Sequence, residues 1–206
     1  MLAQTNYDSL MRRSGLVDMG SLEPSIRVEL KYSTSDNFVG QDMYGSLECA
    51  YLERGFASRI ARAQRLLSKR RKGYRLLIYD AARPMSVQAA MYALVEGTPL
   101  RIYVAPAKRG GRHNYGVAVD LTIIDAKGKP LDMGSPFDHF GPEAHVGRED
   151  ELVKAGRMSS EVRDNRRLLY SIMSEVGLRP YDKEWWHYQE RIPMTEVRRR
   201  YKRLDF

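Results

Sequence analysis

Hydrophobic residues recur with a helical period in three segments of the chain. Their apolar residues are spaced three or four positions apart, which places them on one face of a helix. Ser159 can cap the start of the third segment and Gly177 can stop its end. The pattern therefore predicts helices at 46–71, 83–97 and 159–177.

Other segments are short apolar runs bounded by turn-forming residues, a pattern typical of β-strands. They predict strands at 74–81, 116–124 and 184–190. Segment 27–38 begins like a strand and reaches a turn at residues 35–37. Because strands and helices do not alternate regularly, we expect an α+β fold in which helices pack on a largely antiparallel sheet.

The length of the chain fits one domain. Its 206 residues can enclose an ordinary hydrophobic core, and neither a repeat nor a low-complexity linker divides them. We expect a single domain over 1–206, with the chemical motifs within 22–190 and a basic tail at 196–206. No apolar run approaches the ~20 residues of a membrane span. No signal peptide is visible, so we expect a cytoplasmic protein if the chain is complete and a periplasmic one if a signal peptide has been removed.

The net charge is +8, and much of it lies in basic runs at 68–75, 107–112 and 196–203. Such runs can bind nucleic acid or anionic polymers, but they are more often solvated helix faces or tails. They lack the interleaved aromatic residues of a nucleic-acid-binding motif, so we expect no nucleic-acid partner. The single cysteine, Cys49, excludes an internal disulfide and a multi-cysteine metal site, and we expect it to be a small buried residue.

Asp120 interrupts an apolar strand. Side chains alternate between the two faces of a strand, so Asp120 shares a face with Ala118 and Thr122. The opposite face is apolar and is expected to lie in the core: Val117, Val119, Leu121 and Ile123. A buried carboxylate is costly unless a cation or several donors meet it. Asp120 could therefore bind a metal ion, or it could be satisfied by backbone amides or an arginine.

His113 lies in a glycine-flanked loop that leads into the same strand. Gly110 and Gly111 precede it and Gly116 follows it, so the loop can fold back towards Asp120. A loop histidine is commonly a surface residue. An imidazole and a carboxylate that converge on one cleft, however, are a candidate zinc site.

The segment EWWHY could supply a third ligand, His187. On a strand, His187 is expected to share a face with Trp185 and Gln189, while Trp186 points away into packing. Three protein ligands with an open fourth position are typical of catalytic zinc. Glu184 could then take a proton from the attacking water, although it could also be a surface residue at the start of the strand.

Arg83 is the candidate for stabilising negative charge in a reaction. It follows an apolar strand and precedes Pro84, which favours an extended conformation, so its guanidinium could project over the end of the sheet. Hydrolysis of an amide places negative charge on the carbonyl oxygen, and a fixed cation can stabilise it. The alternative is a salt bridge to Asp80.

Four motifs, in order, resemble the VanX-type D-alanyl-D-alanine dipeptidases. They are YDAARP, RHNYGVAVDLTI, DMGSPFD and EWWHY, and KYSTSDNFVG resembles the N-terminal segment of that family. The resemblance covers residues 22–190. It implies an α+β fold shared with D,D-carboxypeptidases and some cell-wall endopeptidases. It also implies zinc-dependent hydrolysis of D-Ala-D-Ala, with one zinc ion per chain.

The resemblance further implies roles for individual residues. It implies three zinc ligands: His113, Asp120 and His187. Glu184 would be the catalytic base and Arg83 would stabilise the transition state. Asp138 and Tyr32 would bind the free amino group of the substrate, because a carboxylate pairs with an ammonium and a closed pocket excludes longer peptides.

The chain departs from the family at two places. Gly111 stands where the family commonly has a serine that helps to hold the substrate, so we expect a changed substrate preference with unchanged metal chemistry. The small pair Ala81 and Ala82 replaces a bulkier segment and is expected to widen the local wall. The remaining histidines match no ligand of the family. We expect His139 to be exposed, and His145 either to support the metal ligands from behind or to be structural.

We therefore expect a zinc-dependent dipeptidase whose partner is a small dipeptide, D-Ala-D-Ala or a close relative. A D,D-carboxypeptidase or a peptidoglycan endopeptidase on the same scaffold is the alternative. Asp138 argues against it, because the substrate of those enzymes continues past the amino end. A more remote alternative, suggested by the charge of +8, is a non-catalytic binding module for anionic envelope polymers. The sequence predicts no particular oligomeric state.

Overall fold

The computed structural model describes residues 6–206. Seven α-helices lie in this part of the chain: α1 (Tyr7–Arg13), α2 (Met19–Leu22), α3 (Arg54–Arg70), α4 (Met85–Val95), α5 (Glu149–Lys154), α6 (Ser160–Glu175) and α7 (Met194–Arg200). Seven strands accompany them: β1 (Val17–Asp18), β2 (Arg27–Val28), β3 (Tyr51–Leu52), β4 (Arg75–Asp80), β5 (Ala118–Ile124), β6 (Arg179–Tyr181) and β7 (Glu184–Gln189).

Five of the strands form one sheet in the order β2-β4-β5-β7-β6. Only β2 and β4 run parallel, and the other neighbours are antiparallel. This confirms the predicted α+β fold with a largely antiparallel sheet. The central strand is β5, where Asp120 pairs with Asp80 of β4 and with His187 of β7. Three polar residues therefore lie side by side on the three inner strands, β4, β5 and β7.

The main core lies where α3 and α6 pack against each other and beside the sheet. Ile60 and Leu67 of α3, Ile172 of α6 and Leu121 of β5 are all fully buried in it. Burial of each such side chain stabilises the fold by about 1.5–3 kcal/mol. The predicted apolar face of β5 is confirmed as part of this core: Val117, Val119, Leu121 and Ile123.

Two predicted elements differ from the structure at their boundaries. Helix α3 begins at Arg54 rather than at 46, because the Glu53 side chain caps it by accepting a hydrogen bond from Phe56 N. The residues before it include β3, which pairs with β1. The predicted strand at 27–38 is reduced to β2, and a 3-10 helix at Lys31–Ser33 follows it.

The other predicted elements match α4, α6, β4, β5 and β7 within one to two residues at each end. The Ser159 side chain caps α6 as expected, by accepting a hydrogen bond from Val162 N. Cys49 is half-buried rather than fully buried. No helix within residues 6–206 is long and apolar enough to cross a membrane.

The C-terminal segment is packed onto the domain. Helix α7 covers the start of the predicted basic tail, and Leu204 beyond it is buried. Leu204 N donates to Asn114 O at 2.9 Å, and Leu204 O accepts from Met85 N at 2.8 Å. The segment therefore holds the loop that carries His113 against the start of α4.

Candidate metal centre and active-site cleft

His113, Asp120 and His187 meet at one end of the sheet. Asp120 and His187 come from paired positions on β5 and β7. His113 comes from the 3-10 helix Arg112–Tyr115 just before β5. Gly116 closes that turn with a φ of 66°, and a Cβ there would lie 2.9 Å from Glu53 N, so only glycine fits. The predicted convergence of the three residues is therefore what the fold produces.

The three side chains present one potential ligand atom each to a common point. His113 Nε2 lies 3.2 Å from His187 Nδ1 and 3.5 Å from one Asp120 oxygen, while His187 Nδ1 lies 2.9 Å from the other. Ligands at ordinary zinc distances in a tetrahedron are about 3.3 Å apart. All of the potential ligand atoms lie within 4.8 Å of one another. The spacing thus fits three ligands of one tetrahedral ion.

The outer nitrogen of each imidazole is bonded to a carbonyl oxygen. His113 Nδ1 is 2.7 Å from Ala81 O, and His187 Nε2 is 3.1 Å from Gln189 Oε1. A carbonyl oxygen only accepts hydrogen bonds, so this network places the ring proton on the outer nitrogen in both cases. The inner nitrogens then direct lone pairs at each other and at the Asp120 carboxylate. Three acceptors that converge in this way require a cation, and two imidazoles with one carboxylate suit a metal ion.

The pKa values of the cluster reflect the same convergence. Burial alone would lower the pKa of His113, but the neighbouring Asp120 carboxylate raises it above its ordinary value. Burial alone would raise the pKa of Asp120, but His113 and His187 hold it well below its usual range. Asp120 therefore stays ionised although it is 4% exposed, which leaves a buried negative charge to meet a cation.

Glu184 lies beside the candidate metal ligands without bonding to them. Its Oε2 atom is 3.8 Å from His187 Nδ1, and the side chain lines the cleft. Burial raises the pKa of Glu184 to about 7. A carboxylate with that pKa can accept and release a proton near neutral pH.

Trp186 is packed in the core as predicted, 1% exposed and against Phe137 and Phe140, but it also lines the cleft, so the predicted direction away from the metal side was wrong. The register of β7 against β6 shifts between Pro180 and Tyr181, and such a bulge breaks the simple alternation of side chains. Trp185, expected on the metal side, instead donates from Nε1 to Ser135 Oγ at 3.0 Å.

Arg83 both lines the cleft and forms the salt bridge that the sequence offered as an alternative. Its Nη2 and Nε atoms lie 2.5 and 3.2 Å from Asp80 Oδ2, and Nη1 donates to Gln88 Oε1 at 3.1 Å. The other oxygen of Asp80 accepts a hydrogen bond from the Tyr44 hydroxyl at 2.7 Å. Tyr44 holds Asp80 in place, and Asp80 and Gln88 together fix the orientation of the guanidinium. Arg83 is 8% exposed.

Asn114 joins the loop of His113 to Arg83. It is fully buried, donates from Nδ2 to Arg83 O at 2.8 Å and accepts from Gly111 N at 2.6 Å. In addition, Arg83 N donates to His113 O at 3.0 Å. The backbone that carries the metal ligand and the backbone that carries the arginine are therefore one rigid unit.

Asp138 and Tyr32 lie together in the wall of the cleft. The Tyr32 hydroxyl donates to both carboxylate oxygens of Asp138, at 3.2 and 3.1 Å. Phe38 N donates to the same carboxylate at 3.3 Å. Burial raises the pKa of Asp138 to about 8, and Asp120 adds to the rise. Among the residues that the structure describes, no cation forms a salt bridge with this carboxylate, which lines the cleft.

Gly111 also lines the cleft. A Cβ at this position would lie 3.2 Å from Ala105 Cβ, a close approach, so the bare glycine keeps the loop tight against that wall. Ala81 and Ala82 do not widen the wall as expected, because both are in the hydrophobic core. That expectation followed from side-chain size alone, and the prediction was wrong because the pair faces inward.

The remaining histidines lie away from the three candidate ligands. The His139 side chain is 39% exposed and lies 3.3 Å from Glu143 Oε2. His145 uses its backbone carbonyl to accept a hydrogen bond from Arg166 at 3.2 Å. His139 is thus half-buried rather than exposed as expected, and His145 contributes to local structure through its main chain.

The cleft has a volume of about 380 Å³, within the range of small-ligand sites. Aromatic side chains form much of its wall: Tyr32, Phe38, Tyr103, Phe140, Tyr181 and Trp186. Tyr103 and Phe140 stack with their ring centroids 4.2 Å apart. The space suits a small molecule of both polar and apolar character.

Sequence reasoning missed the residues that support the site. Gln189, Asn114, Gln88 and Tyr44 each bond to a side chain or backbone segment of the site, but none belongs to a residue type that signals chemistry by itself. Gln189 had a usable signal, since it stands two positions from His187 on the same strand face. The other three are recognisable only once the fold brings them together.

Comparison with known proteins gives a consistent result. The family model described as D-ala-D-ala dipeptidase, of the peptidase M15 group, matches residues 12–204. The D-alanyl-D-alanine dipeptidase of Escherichia coli (strain K12) is 33% identical over 174 residues, which are 84% of this chain and 83% of the relative. That of Streptomyces coelicolor is 30% identical over 81% of this chain and 87% of its own. The Enterococcus faecium enzyme of the same name is 28% identical, over 84% and 90%. The chain therefore belongs to the peptidase M15 family of D-Ala-D-Ala dipeptidases.

Proposed function

We propose that this chain is a zinc-dependent dipeptidase that hydrolyses D-Ala-D-Ala or a closely related short dipeptide. The observation that carries the proposal is one small cleft lined both by the three candidate metal ligands and by Asp138, a carboxylate that forms no salt bridge within residues 6–206. The names of the relatives and the size of the cleft support the same substrate class.

The donor set supports zinc as the metal. Two imidazole nitrogens and one carboxylate oxygen suit Zn²⁺ better than Mg²⁺ or Ca²⁺, which prefer oxygen ligands throughout. Three protein ligands leave a position open, as in catalytic sites. Bound at His113, Asp120 and His187, zinc supplies Lewis acidity and makes a nearby water acidic enough to ionise near neutral pH.

Glu184 and Arg83 take the two remaining chemical roles in this proposal. Glu184 removes a proton from the attacking water and delivers it to the amino group that leaves when the peptide C–N bond breaks. Arg83 stabilises the negative charge that develops on the carbonyl oxygen. Its fixed hydrogen bonds to Asp80 and Gln88 mean that it does not have to be reoriented during the reaction.

Asp138 and Tyr32 select the amino end of the substrate. The ammonium of a free dipeptide would pair with the Asp138 carboxylate and relieve its cost of burial. A substrate acylated on its nitrogen has no ammonium charge to pair with Asp138, and it is larger than the free dipeptide. Gly111 offers the substrate no hydroxyl, so we expect the second residue of the dipeptide to be held less specifically than the first.

These features also separate the proposal from its alternatives. A carboxypeptidase or an endopeptidase would have to accommodate a chain where Asp138 and Phe38 stand. A binding module for anionic polymers has no use for a buried cluster of three potential metal ligands. Both alternatives become outcomes of the experiment that follows.

A panel of dipeptides tests the proposal. Alanyl-alanine in all four combinations of chirality, and N-acetyl-D-Ala-D-Ala, would be incubated with the zinc-loaded protein, with and without chelator. We expect cleavage of D-Ala-D-Ala that chelator abolishes, with the acetylated compound at least about 100-fold poorer in kcat/KM. Equal cleavage of the acetylated compound would favour the carboxypeptidase, and cleavage of none would refute a peptidase.

A further inference from the structure

The part of the cleft wall that contains Asp138 is formed in part by a loop whose two ends meet at Tyr32. This loop, residues 31–44, returns on itself so that Met43 N and Tyr44 N both donate to Tyr32 O, at 2.7 and 3.1 Å. From inside the loop, Phe38 N donates to the Asp138 carboxylate at 3.3 Å. The proposed amine anchor is therefore held by a loop that has little regular secondary structure of its own.

The Phe38 ring forms the wall beside that anchor. It packs edge-on against Tyr32 with ring centroids 6.1 Å apart, and against Phe140 with centroids 5.2 Å apart. All three rings line the cleft. A group attached to the substrate nitrogen would have to displace this ring, so its position decides whether an acylated substrate fits.

Asn37 holds the loop together from within. Its Nδ2 atom donates to Thr34 O at 2.6 Å, Gln41 O at 2.9 Å and Lys31 O at 3.1 Å. Its Oδ1 atom accepts from Val39 N and Gly40 N, both at 3.0 Å. The five contacts connect both arms of the loop and its tip.

Neither aspartate nor alanine at this position can make the same set of contacts. An amide has donors on one atom and an acceptor on the other, and here both atoms are used on backbone groups. Aspartate can accept from the two N–H groups but cannot donate to the carbonyls. Alanine removes all five contacts. Lys31 O and Gly40 N keep other partners within the loop. Thr34 O, Gln41 O and Val39 N, however, are left to water, which costs the loop its fixed shape.

We propose that Asn37 is a positioning residue that sets selectivity for a free amino end, by fixing the loop that places the Phe38 ring and the Phe38 N–H against Asp138. The inference rests on the proposed dipeptidase function. Asn37 acts through Phe38 and Asp138, and it does not touch the reacting atoms. The metal ligands and Glu184 lie outside the loop and are expected to be unaffected by its release. Tyr44, at the closed end of the loop, supports Arg83 through Asp80, and we expect its backbone bond to Tyr32 O to keep it in place in the variants.

The test compares N37A and N37D with wild type on D-Ala-D-Ala and on N-acetyl-D-Ala-D-Ala. For N37A we expect KM for the free dipeptide to rise about tenfold with kcat within about threefold, since only substrate binding is weakened. The preference for the free over the acetylated compound should shrink at least about tenfold. N37D, which keeps the two acceptor contacts, should be intermediate. N165A is the matched control, because half-buried Asn165 of α6 donates to Asp132 O, outside the loop, and its loss should leave both values unchanged.

Zinc content and thermal unfolding of each variant separate a positioning role from general damage. If N37A does not fold, F38A provides the test, because it removes the ring while Asn37 still holds the loop, and it should narrow the preference in the same direction. Unchanged preference in the folded variants, or a fall in kcat with unchanged KM, would overturn the inference. A wild-type enzyme that cleaves neither compound, or both equally, would instead refute the proposed function.

Discussion

His113 Nε2 and His187 Nδ1 lie 3.2 Å apart, and a carbonyl oxygen holds the opposite nitrogen of each ring. Two lone pairs at this distance repel each other unless a cation lies between them. The partners of the outer nitrogens, Ala81 O and Gln189 Oε1, therefore prepare the site for a metal ion. Their effect can be measured separately from that of the ligands.

Replacing Gln189 by leucine should weaken metal binding. The change removes the acceptor of His187 Nε2, so the imidazole is no longer held in the tautomer and orientation that present Nδ1 to the metal. Loss of such a partner typically lowers metal affinity about 10–100-fold. Competition with a chelator measures the zinc dissociation constant. Q189E, which keeps an acceptor oxygen, should bind like wild type, and an unchanged affinity in Q189L would contradict this role.

Replacing Glu184 by alanine or glutamine should leave zinc bound while turnover falls about 10³-fold, because the proton acceptor is lost. In wild type, kcat/KM should fall on the acid side, since the base must be ionised. Burial raises the pKa of Glu184 to about 7 from its ordinary 4.5, and a bound cation lowers it again, so the acid limb should lie between these values. A pH profile measures it, and an acid limb that persists unchanged in E184Q would assign it to another group.

Replacing Arg83 by lysine should lower kcat about 10²-fold with little change in KM. Lysine keeps the charge but cannot reproduce the separate bonds to Asp80 and Gln88 that fix the guanidinium. Steady-state kinetics on D-Ala-D-Ala would show the split between the two constants. A variant with a raised KM and normal kcat would mean that Arg83 binds substrate instead of stabilising the transition state.

Several of the candidate site residues follow from local sequence rules. Asp120 was recognisable because it is a carboxylate in a strand whose opposite face is apolar, and His113 because glycines on both sides let its loop fold back. These signals depend only on strand alternation and on backbone freedom at glycine. To predict that Asp120 pairs with His187, one would also have to know that β5 and β7 are neighbours in the sheet.

Other features depend on contacts that local rules do not contain. Trp186 was assigned to the wrong face because a bulge in β7 is set by the pairing with β6. Helix α3 starts late because Glu53, an uncommon capping residue, bonds to Phe56 N and because β3 pairs with β1. Helices α1, α5 and α7 have six or seven residues each, too few to show a helical period.

Replacing Asp138 by asparagine should stabilise the metal-free protein at alkaline pH. The pKa of Asp138 rises from an ordinary 3.8 to about 8 in the fold, so the folded chain holds an extra proton between these values. Its contribution to the free energy of unfolding therefore falls as pH rises from about 4 to about 8. Asparagine does not ionise, so D138N does not lose stability in this way as pH rises. Asparagine also tolerates the backbone φ of 60° at this position.

Thermal unfolding of the two proteins at pH 5 and pH 9 tests this expectation. The midpoint of D138N should exceed that of wild type by at least about 3 °C at pH 9, with a smaller difference at pH 5. The same variant should bind D-Ala-D-Ala poorly, because it offers the ammonium no charge. A difference that is independent of pH would mean that Asp138 does not titrate as the structure indicates.

Titration of the metal-free protein with zinc, while D-alanine release from D-Ala-D-Ala is followed, tests the account most directly. Activity should be absent at the start, rise in proportion to added zinc and level off at one zinc ion per chain. H113A should neither bind zinc at that stoichiometry nor gain activity. Release of D-alanine by metal-free protein, or a zinc-saturated protein that leaves D-Ala-D-Ala intact, would contradict the account.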